Sequence, residues 1–388
     1  MHLLLARIEG APKGTKGISL FVVPKKRVDQ DGSLRFNDVT TAGLFHKMGQ
    51  HGYVTTHLIM GEKDDCIGYL VGQPNNGLGY MFQMMNTARI EVGLMGASIA
   101  SAAYQAALQY ANERPQGRKP SSKDPNEAPI PIIQHADVRR MLFFQKAIVE
   151  GSLSLILECS KYSDLAKISE GEEKEICALM LDLLTPVVKT YPTEMGVAAV
   201  NYGMQCFGGY GYCVDFPLEQ LARDIRITTI YEGTTGIQSL DLLGRKVVMR
   251  DGKAIKILLK KISETIGDAN KIGTMESSAE QLSELMNHYQ KVLQHLVGKA
   301  MSGKTEEFLA DANLFMELSG ILIMGWQWLK QGIVASSPSG ERSELFYKSK
   351  LSTMRFYFEY EVPKYKGLVD RLLSDEILTL YGEEDHLI

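Results

Sequence analysis

The stretch RITTIYEGTTGIQ, Arg226 to Gln238, carries a lone carboxylate where a helix is expected to begin. Thr235 and Gln238 have the spacing of a capping box, which predicts Thr235 as the N-cap of a helix running to about Val248. Glu232 then lies just before a helix N-terminus, where free N–H groups and the helix dipole favour anions. Such a turn could hold a phosphate on one side and a catalytic carboxylate on the other. Read alone, the stretch favours the simpler role, in which Glu232 only complements the dipole.

The octapeptide QCFGGYGY, Gln205 to Tyr212, is a second candidate for ligand contact. Gly208 and Gly209 follow a predicted helix, and two adjacent glycines let a backbone approach a bound molecule closely. A glycine C-cap followed by a turn accounts for the same letters and is the commoner meaning of an isolated GGxG. The motif does not match GxGxxG and no predicted strand precedes it. A nicotinamide dinucleotide site is therefore not indicated.

Two arginines near the ends of one predicted helix are candidates for binding anions. Arg114, in NERPQGRKP, lies at the predicted C-terminus, where a cation commonly satisfies helix carbonyls. The functional alternative is that Arg114 binds a phosphate or pyrophosphate. Arg89, in NTARIEVG, is predicted in the first turn, where a cation is locally unfavourable. A residue that opposes its local preference points weakly to another partner.

Composition and charge exclude several classes of protein. The chain has 388 residues and a formal net charge of −4, which argues against a nucleic-acid binder. The five cysteines include no CxxC pair, so a disulfide framework or a cysteine zinc site is not expected and a reducing, cytoplasmic compartment is favoured. The histidines show no metal-ligand spacing. The most membrane-like run, Gly93 to Leu108, is shorter than the ~20 residues needed to span a bilayer and is predicted to be a buried helix.

Three regions with different patterns follow one another along the chain. Residues 1–80 read as strands and turns, with HLLLARI, ISLFVVP, GYVTTHLIM and CIGYLVG as strand candidates. Residues 81–248 show helical periodicity, in which two prolines, Pro186 and Pro192, are expected to kink or divide one helix. MRDGKA is a predicted joint before further helices in 249–388. The predicted fold class is α+β, mainly α: a partial β-domain, a four-helix-bundle-type domain and a C-terminal helical domain.

Taken in order, these segments resemble the acyl-CoA dehydrogenase family. MMNTARIEVGLMGASIASAAYQAALQYANER is similar to the first helix of that family's C-terminal helical domain, and IIQHADVRRML to the entry of the next. QCFGGYGYCVDFPLEQLARDIRITTIYEGTTGIQ resembles its flavin and catalytic-glutamate region nearly throughout. The start resembles the later strands of the middle β-domain. The tail from about residue 250 resembles the extra domain of a larger subgroup that includes methylmercaptopropionyl-CoA dehydrogenase-like enzymes.

The resemblance implies an activity and a role for each matching residue. It implies FAD-dependent oxidation of an acyl-CoA to the trans-2-enoyl-CoA, with Glu232 as the base that removes the α-proton. It places Arg89 and Gly233 near the substrate. The implied FAD-binding residues are Arg114, Gln205, Gly208, Gly209 and Thr234. Electron-transfer flavoprotein as the acceptor and a homo-oligomeric state are implied as well.

The sequence also departs from the family pattern. PQGRKP replaces an aromatic-Gly sequence after Arg114, Ala136 stands where many members have glutamine, and Asn86 stands where many have aspartate. Residues 1–388 show no match to the family's N-terminal helical domain or to the first half of its β-domain. The resemblance therefore predicts the later part of such an enzyme, with a missing N-terminal half. The alternative is a non-catalytic fragment that acts as a helical oligomerisation or CoA-binding module.

Overall fold

The computed structural model describes residues 1–381, and its contacts divide the chain into two units, residues 1–88 and residues 89 onward. The first unit contains short antiparallel strands. They are β1 (His2–Arg7), β2 (Ile18–Val23), β3 (Lys26–Val28), β4 (Leu34–Phe36), β5 (Val39–Leu44), β6 (Thr56–Met60) and β7 (Tyr69–Val71). One sheet has the order β1-β2-β7, while β3 pairs with β4 and β5 with β6.

Each of the predicted strand segments contains an observed strand: β1, β2, β6 or β7. The sequence pattern does not predict β3, β4 and β5. The first two have three residues each, too few to show an alternation of apolar and polar side chains. β5 shifts its register with β6 between Thr41 and Gly43, which interrupts its alternation.

The remaining described chain is helical, as predicted. Its helices are α1 (Gly77–Glu113), α2 (Ala136–Ile168), α3 (Gly171–Phe207), α4 (Pro217–Ile225), α5 (Thr235–Asp241), α6 (Met249–Ala269), α7 (Glu276–Met301), α8 (Thr305–Leu309), α9 (Ala312–Ser336), α10 (Glu344–Phe356), α11 (Tyr365–Leu372) and α12 (Leu378–Tyr381). The predominance of helix over small sheets confirms the predicted α+β, mainly α class.

A seam of small residues joins α1 and α3, which run side by side in the same direction. A Cβ atom on Gly93 would lie 2.0 Å from the carbonyl oxygen of Val188. Further along, a Cβ on Gly196 would lie 3.2 Å from the carbonyl oxygen of Gly96. Farther still, α1 faces Gly203 through the carbonyl of Ala103. The predicted burial of this part of α1 is confirmed, since Ala97, Ala100 and Ala103 are buried.

Pro186 and Pro192 lie inside α3, which continues through both of them. Of the two predicted outcomes, division of the segment is therefore wrong, and a kink at either proline stays a prediction. Pro192 has no amide to donate to the carbonyl of Val188, four residues earlier. That carbonyl is the one that faces Gly93 in α1. Tertiary packing holds the helix together here, because almost every side chain from Leu183 to Thr193 is buried.

Helix α9 is the centre of the second unit. Its sequence is apolar on all sides and most of its residues are buried, as expected for a helix surrounded by others. Trp328 donates from Nε1 to the carbonyl of Ala147 in α2 at 3.0 Å, and Trp326 donates to Oγ1 of Thr265 in α6 at 2.9 Å. These indole hydrogen bonds connect α9 to two earlier helices through groups that would otherwise be buried unpaired.

The predicted joint in MRDGKA is confirmed as a sharp turn. Arg250, Asp251 and Gly252 have φ angles of 50°, 55° and 72°, outside the right-handed helical region. The preceding α5 ends at Asp241 and continues as a π-helical turn over Leu242–Lys246. The proposed domain boundaries near residues 80 and 248 stay predictions.

A membrane span is not found among the described residues: none of their helices combines the length and apolarity that crossing a bilayer requires.

The α1–α3 seam gives a prediction about stability. Gly93→Ala should lower the free energy of unfolding by about 2–3 kcal/mol, because the new methyl group meets a backbone carbonyl that cannot rotate away. Thermal unfolding followed by circular dichroism measures the effect. Gly79→Ala in the same helix is the matched control, since a Cβ there meets no atom within 4 Å. It should be neutral or slightly stabilising. Equal melting temperatures for the two variants would contradict the close approach.

Candidate active site

The turn that carries Glu232 has an unusual backbone. Glu232 is half-buried and has a φ of 54°, and the next residue, Gly233, has a φ of 91°. The left-handed region costs a residue with a side chain about 1–2 kcal/mol. Strain of this kind persists only where surrounding contacts fix it, and it is concentrated at functional sites. The strained backbone favours a functional role for Glu232, which stays a prediction.

The N-cap of α5 is Thr234, and the prediction of Thr235 is wrong. The hydroxyl of Thr234 accepts a hydrogen bond from the amide of Ile237 at 3.4 Å. Thr235 does not cap the helix, because its hydroxyl donates to Oε1 of Glu194 in α3. The hydroxyl that the local spacing predicts as the cap is therefore hydrogen-bonded to a carboxylate that is distant in the sequence.

Gln238 holds the strained turn closed instead of completing a capping box. Its side chain is fully buried and its Nε2 donates to the carbonyl oxygen of Glu232 at 2.9 Å. A Cβ on Gly233 would lie 2.5 Å from the same Nε2. Position 233 therefore requires glycine both for its backbone angle and for the space that Gln238 occupies.

Arg89 is buried and lies well inside α1, so its prediction in a first turn is wrong. The helix begins at Gly77, about three turns before it. Its Nη1 lies 3.6 Å from Oδ2 of Asp241, at the end of α5. Tyr231, next to the candidate base, donates from its hydroxyl to Sδ of Met95 at 2.8 Å. This ion pair and this hydrogen bond thus connect α1, near the start of the α1–α3 seam, with α5 and the Glu232 turn.

Lys189 is a residue of this region that the sequence analysis does not single out. It is fully buried in α3, and its Nζ has no hydrogen-bond partner in the described chain. Burial, the largest cause, and the charge of Arg89 together lower the pKa of Lys189 to about 8, against the attraction of Glu194 and Glu232. The sequence feature that could indicate Lys189 is its position as a single lysine in the apolar run LTPVVKTYP, between two prolines.

A second group of candidates lies where α1 and α3 end. Arg114 is exposed, and its guanidinium carbon lies 5.7 Å from the ring centroid of Tyr210. Gly208, the predicted C-cap of α3, has a φ of 60° and a ψ of −138°, a conformation that essentially only glycine adopts. Cβ atoms on Gly208 and Gly209 would meet no atom within 4 Å, and Gln205 beside them is exposed. Together these residues form an open shelf.

The structure thus brings the candidates together in two places rather than one. Glu232, Gly233 and Thr234 form the turn before α5, and Arg89 contacts the other end of that short helix at Asp241. Arg114, Gln205, Gly208 and Gly209 form the shelf. Arg114 directly follows α1 and is 25 positions after Arg89, which is about 37 Å along the helix axis. One region offers a carboxylate among buried charges, and the other offers a guanidinium and open backbone suited to an anion.

The backbone of the Glu232 turn gives a prediction about stability. Glu232→Gly should be more stable than Glu232→Ala by about 1 kcal/mol, because only glycine adopts a positive φ without strain. The two variants lose the same carboxylate, so their difference in chemical unfolding isolates the backbone. A more stable alanine variant would show that the turn is not strained.

Comparison with known proteins gives consistent matches. The family model "Acyl-CoA dehydrogenase, C-terminal domain" matches residues 75–247, and "Acetyl-CoA dehydrogenase C-terminal like" matches residues 258–379. A butyryl-CoA dehydrogenase of Syntrophomonas wolfei is 36% identical over 402 residues, covering 100% of this chain and 65% of that protein. A 3-methylmercaptopropionyl-CoA dehydrogenase of Ruegeria pomeroyi is 38% identical over 356 residues, covering 91% of this chain and 60% of that protein.

A solved structure shows the same fold. It is an acyl-CoA dehydrogenase complexed with FAD from Bacillus anthracis, with a TM-score of 0.74 and 19% sequence identity over 97% of this chain and 62% of that one. The chain spans 60–65% of the length of the two relatives named above. The two family models together match most of its residues, in the order that the sequence motifs predict. The chain belongs to the acyl-CoA dehydrogenase family.

Proposed function

We propose that this protein oxidises an acyl-CoA thioester to the trans-2-enoyl-CoA, with Glu232 as the base that removes the α-proton. The observation that carries the proposal is the Glu232 turn itself. A half-buried carboxylate is held in a strained backbone by a buried glutamine, just before the start of α5. A base must be fixed in place before it can compete with water for a weakly acidic C–H.

The surrounding residues support a site for charge. Removal of the α-proton builds negative charge on the thioester, which a nearby cation stabilises. Arg89 and Lys189 are buried cations whose charges face this region. Arg89 already pairs with Asp241, so its orientation is fixed. Gly233, which the resemblance places near the substrate, directly follows the carboxylate and adds no side chain beside it.

The shelf residues fit a flavin dinucleotide. Arg114 has no ion pair to an acidic side chain in the described chain and can engage phosphate oxygens. Cβ atoms at Gly208 and Gly209 would project into open space, so a bound molecule can approach this stretch of backbone closely beside Gln205. FAD, when bound, accepts the hydride that leaves the β-carbon. Thr234, proposed as a further contact, caps α5 with its hydroxyl. The distance between the shelf and the Glu232 turn agrees with the resemblance, in which the arginine often reaches the flavin of a neighbouring subunit.

Three further assignments are part of the proposal. Electron-transfer flavoprotein as the electron acceptor and assembly into a homo-oligomer rest on the resemblance. A cytoplasmic location rests on the cysteine content of the sequence.

The base assignment is tested with Glu232→Gln. The variant should bind FAD like the parent protein, because its side chain keeps nearly the same shape. It should bleach bound flavin with acyl-CoA about 10²–10⁴-fold more slowly, because the amide does not accept a proton. Stopped-flow absorbance under anaerobic conditions measures the rate. Glu264→Gln, an exposed change on α6, is the matched control.

Two outcomes would contradict the proposal in different ways. Normal bleaching by Glu232→Gln would show that another group is the base. If the parent chain, alone or together with the N-terminal segment of a relative, stays colourless and fails to bleach added FAD, the dehydrogenase proposal fails. The alternative of a helical oligomerisation or CoA-binding module would then be favoured.

A further inference from the structure

We propose that Gln238 is a positioning residue for the reaction: its side-chain amide fixes the backbone of Glu232 and thereby sets where the carboxylate of the proposed base stands. The inference rests on the proposed function and deepens it. Nε2 of Gln238 donates to the carbonyl oxygen of Glu232 at 2.9 Å. The direction of a carbonyl follows the rotation about the Cα–C bond of its own residue, and the Glu232 side chain extends from that same Cα. A donor that holds this oxygen therefore restrains the point from which the carboxylate side chain extends.

The first turn of α5 holds Gln238 itself in place. Its backbone amide donates to the carbonyl of Thr234 at 3.0 Å, which closes the turn. Its side chain is fully buried and reaches back across the turn to Glu232. A Cβ on Gly233 would lie 2.5 Å from Nε2, so the amide packs directly against this glycine. Packing and the hydrogen bond together therefore keep the donor in one position, as a positioning role requires.

The strained part of the turn is the part that Gln238 contacts. Glu232 has a φ of 54° and Gly233 a φ of 91°. The hydroxyls of Tyr231 and Thr234 make their hydrogen bonds on either side of this pair. The amide of Gln238 acts on the strained residue itself. A backbone in a sparsely populated conformation persists only where its surroundings fix it, and this hydrogen bond is such a restraint.

The Gln238 side chain is poorly suited to a role in stability alone. Its Oε1 is buried and has no hydrogen-bond partner among the described residues. An acceptor left in this state costs free energy that an apolar side chain of the same length would avoid. Gln327 in α9 is equally buried and differs: its Oε1 accepts from the hydroxyl of Ser154, and its Nε2 donates to Glu158. Gln327 is paired at both ends, as expected of a structural glutamine, whereas Gln238 is retained at the cost of one unpaired end.

Gln238→Met tests the positioning role, because it keeps the length of the side chain and removes the donor. At saturating acyl-CoA the variant should bleach bound flavin roughly tenfold to a hundredfold more slowly, because a misplaced base loses rate. The acyl-CoA concentration that gives half of the limiting rate should not change, since the amide is proposed to act through Glu232 and not on the substrate. FAD binding should not change either. The melting temperature should shift by no more than about 4 °C, because removal of the unpaired Oε1 offsets the lost hydrogen bond. Anaerobic stopped-flow absorbance and circular dichroism measure these quantities.

Gln327→Met is the matched control, since it makes the same substitution at an equally buried glutamine. It removes the partner of the Ser154 hydroxyl and one partner of the Glu158 carboxylate. It should therefore lower the melting temperature by more than Gln238→Met does, while the limiting bleaching rate stays at the parental value. The opposite pattern, in which Gln238→Met loses stability and keeps its rate, would make Gln238 a structural residue and overturn the inference.

A double-mutant cycle tests the restraint on the backbone without any measurement of activity. Gln238→Met is combined with Glu232→Ala and with Glu232→Gly, and the melting temperatures are compared with those of the two single Glu232 variants. In the parental background Glu232→Gly should melt higher than Glu232→Ala, because only glycine adopts the positive φ without strain. In the Gln238→Met background the turn relaxes, so this difference should shrink. An undiminished difference would show that other contacts hold the backbone, and the inference would be wrong.

The results also separate this inference from the proposed function. If Glu232→Gln bleaches flavin slowly while Gln238→Met bleaches it at the parental rate, the proposed function stands and this inference fails. If Glu232→Gln bleaches flavin normally, the base assignment fails, and the positioning role fails with it. If the parent protein never bleaches flavin, both fail.

Discussion

The close approach of α1 and α3 at Gly93 and Val188 is the constraint on which the rest of the site depends. Pro192 removes the amide that would bind the carbonyl of Val188, and the glycine in α1 lets the two backbones meet at that point. Arg89 lies about one turn before Gly93, and Lys189 directly follows Val188. The close approach therefore positions two buried cations, Arg89 in α1 and Lys189 in α3, one on each of the two helices.

The same seam determines where the second group of candidates lies. Because α1 and α3 run in the same direction, their ends also meet, and Tyr110 stacks on Phe207 with ring centroids 4.2 Å apart. Arg114 and Gly208 follow these rings by four residues and one residue. A rigid pair of helices thus holds a carboxylate site at one level and an anion-binding shelf at another. Elements that are stiff and packed keep functional groups in place better than loops do.

Stability and proposed chemistry oppose each other around Glu232. The left-handed backbone, the unpartnered Lys189 and the ion pair of Arg89 with Asp241 each cost free energy or contribute little to it. Buried contacts elsewhere offset these costs. Helix α9, with Trp326 and Trp328 hydrogen-bonded to α6 and α2, ties the later helices to the bundle that carries the site. A well-packed surrounding fold is what allows such a site to persist.

The sequence by itself determined the features that depend on near neighbours. Helical periodicity, the glycine end of α3 at Gly208, the break in MRDGKA and the order of the family motifs were all readable, because spacing along the chain carries them. The tertiary structure decided the features that join distant residues. Thr234 caps α5 because Glu194 takes the hydroxyl of Thr235, and Arg89 meets Asp241 from 152 positions away. Val188, next to the buried Lys189, meets Gly93 of α1 only because two helices approach at a glycine, and no local pattern encodes that approach.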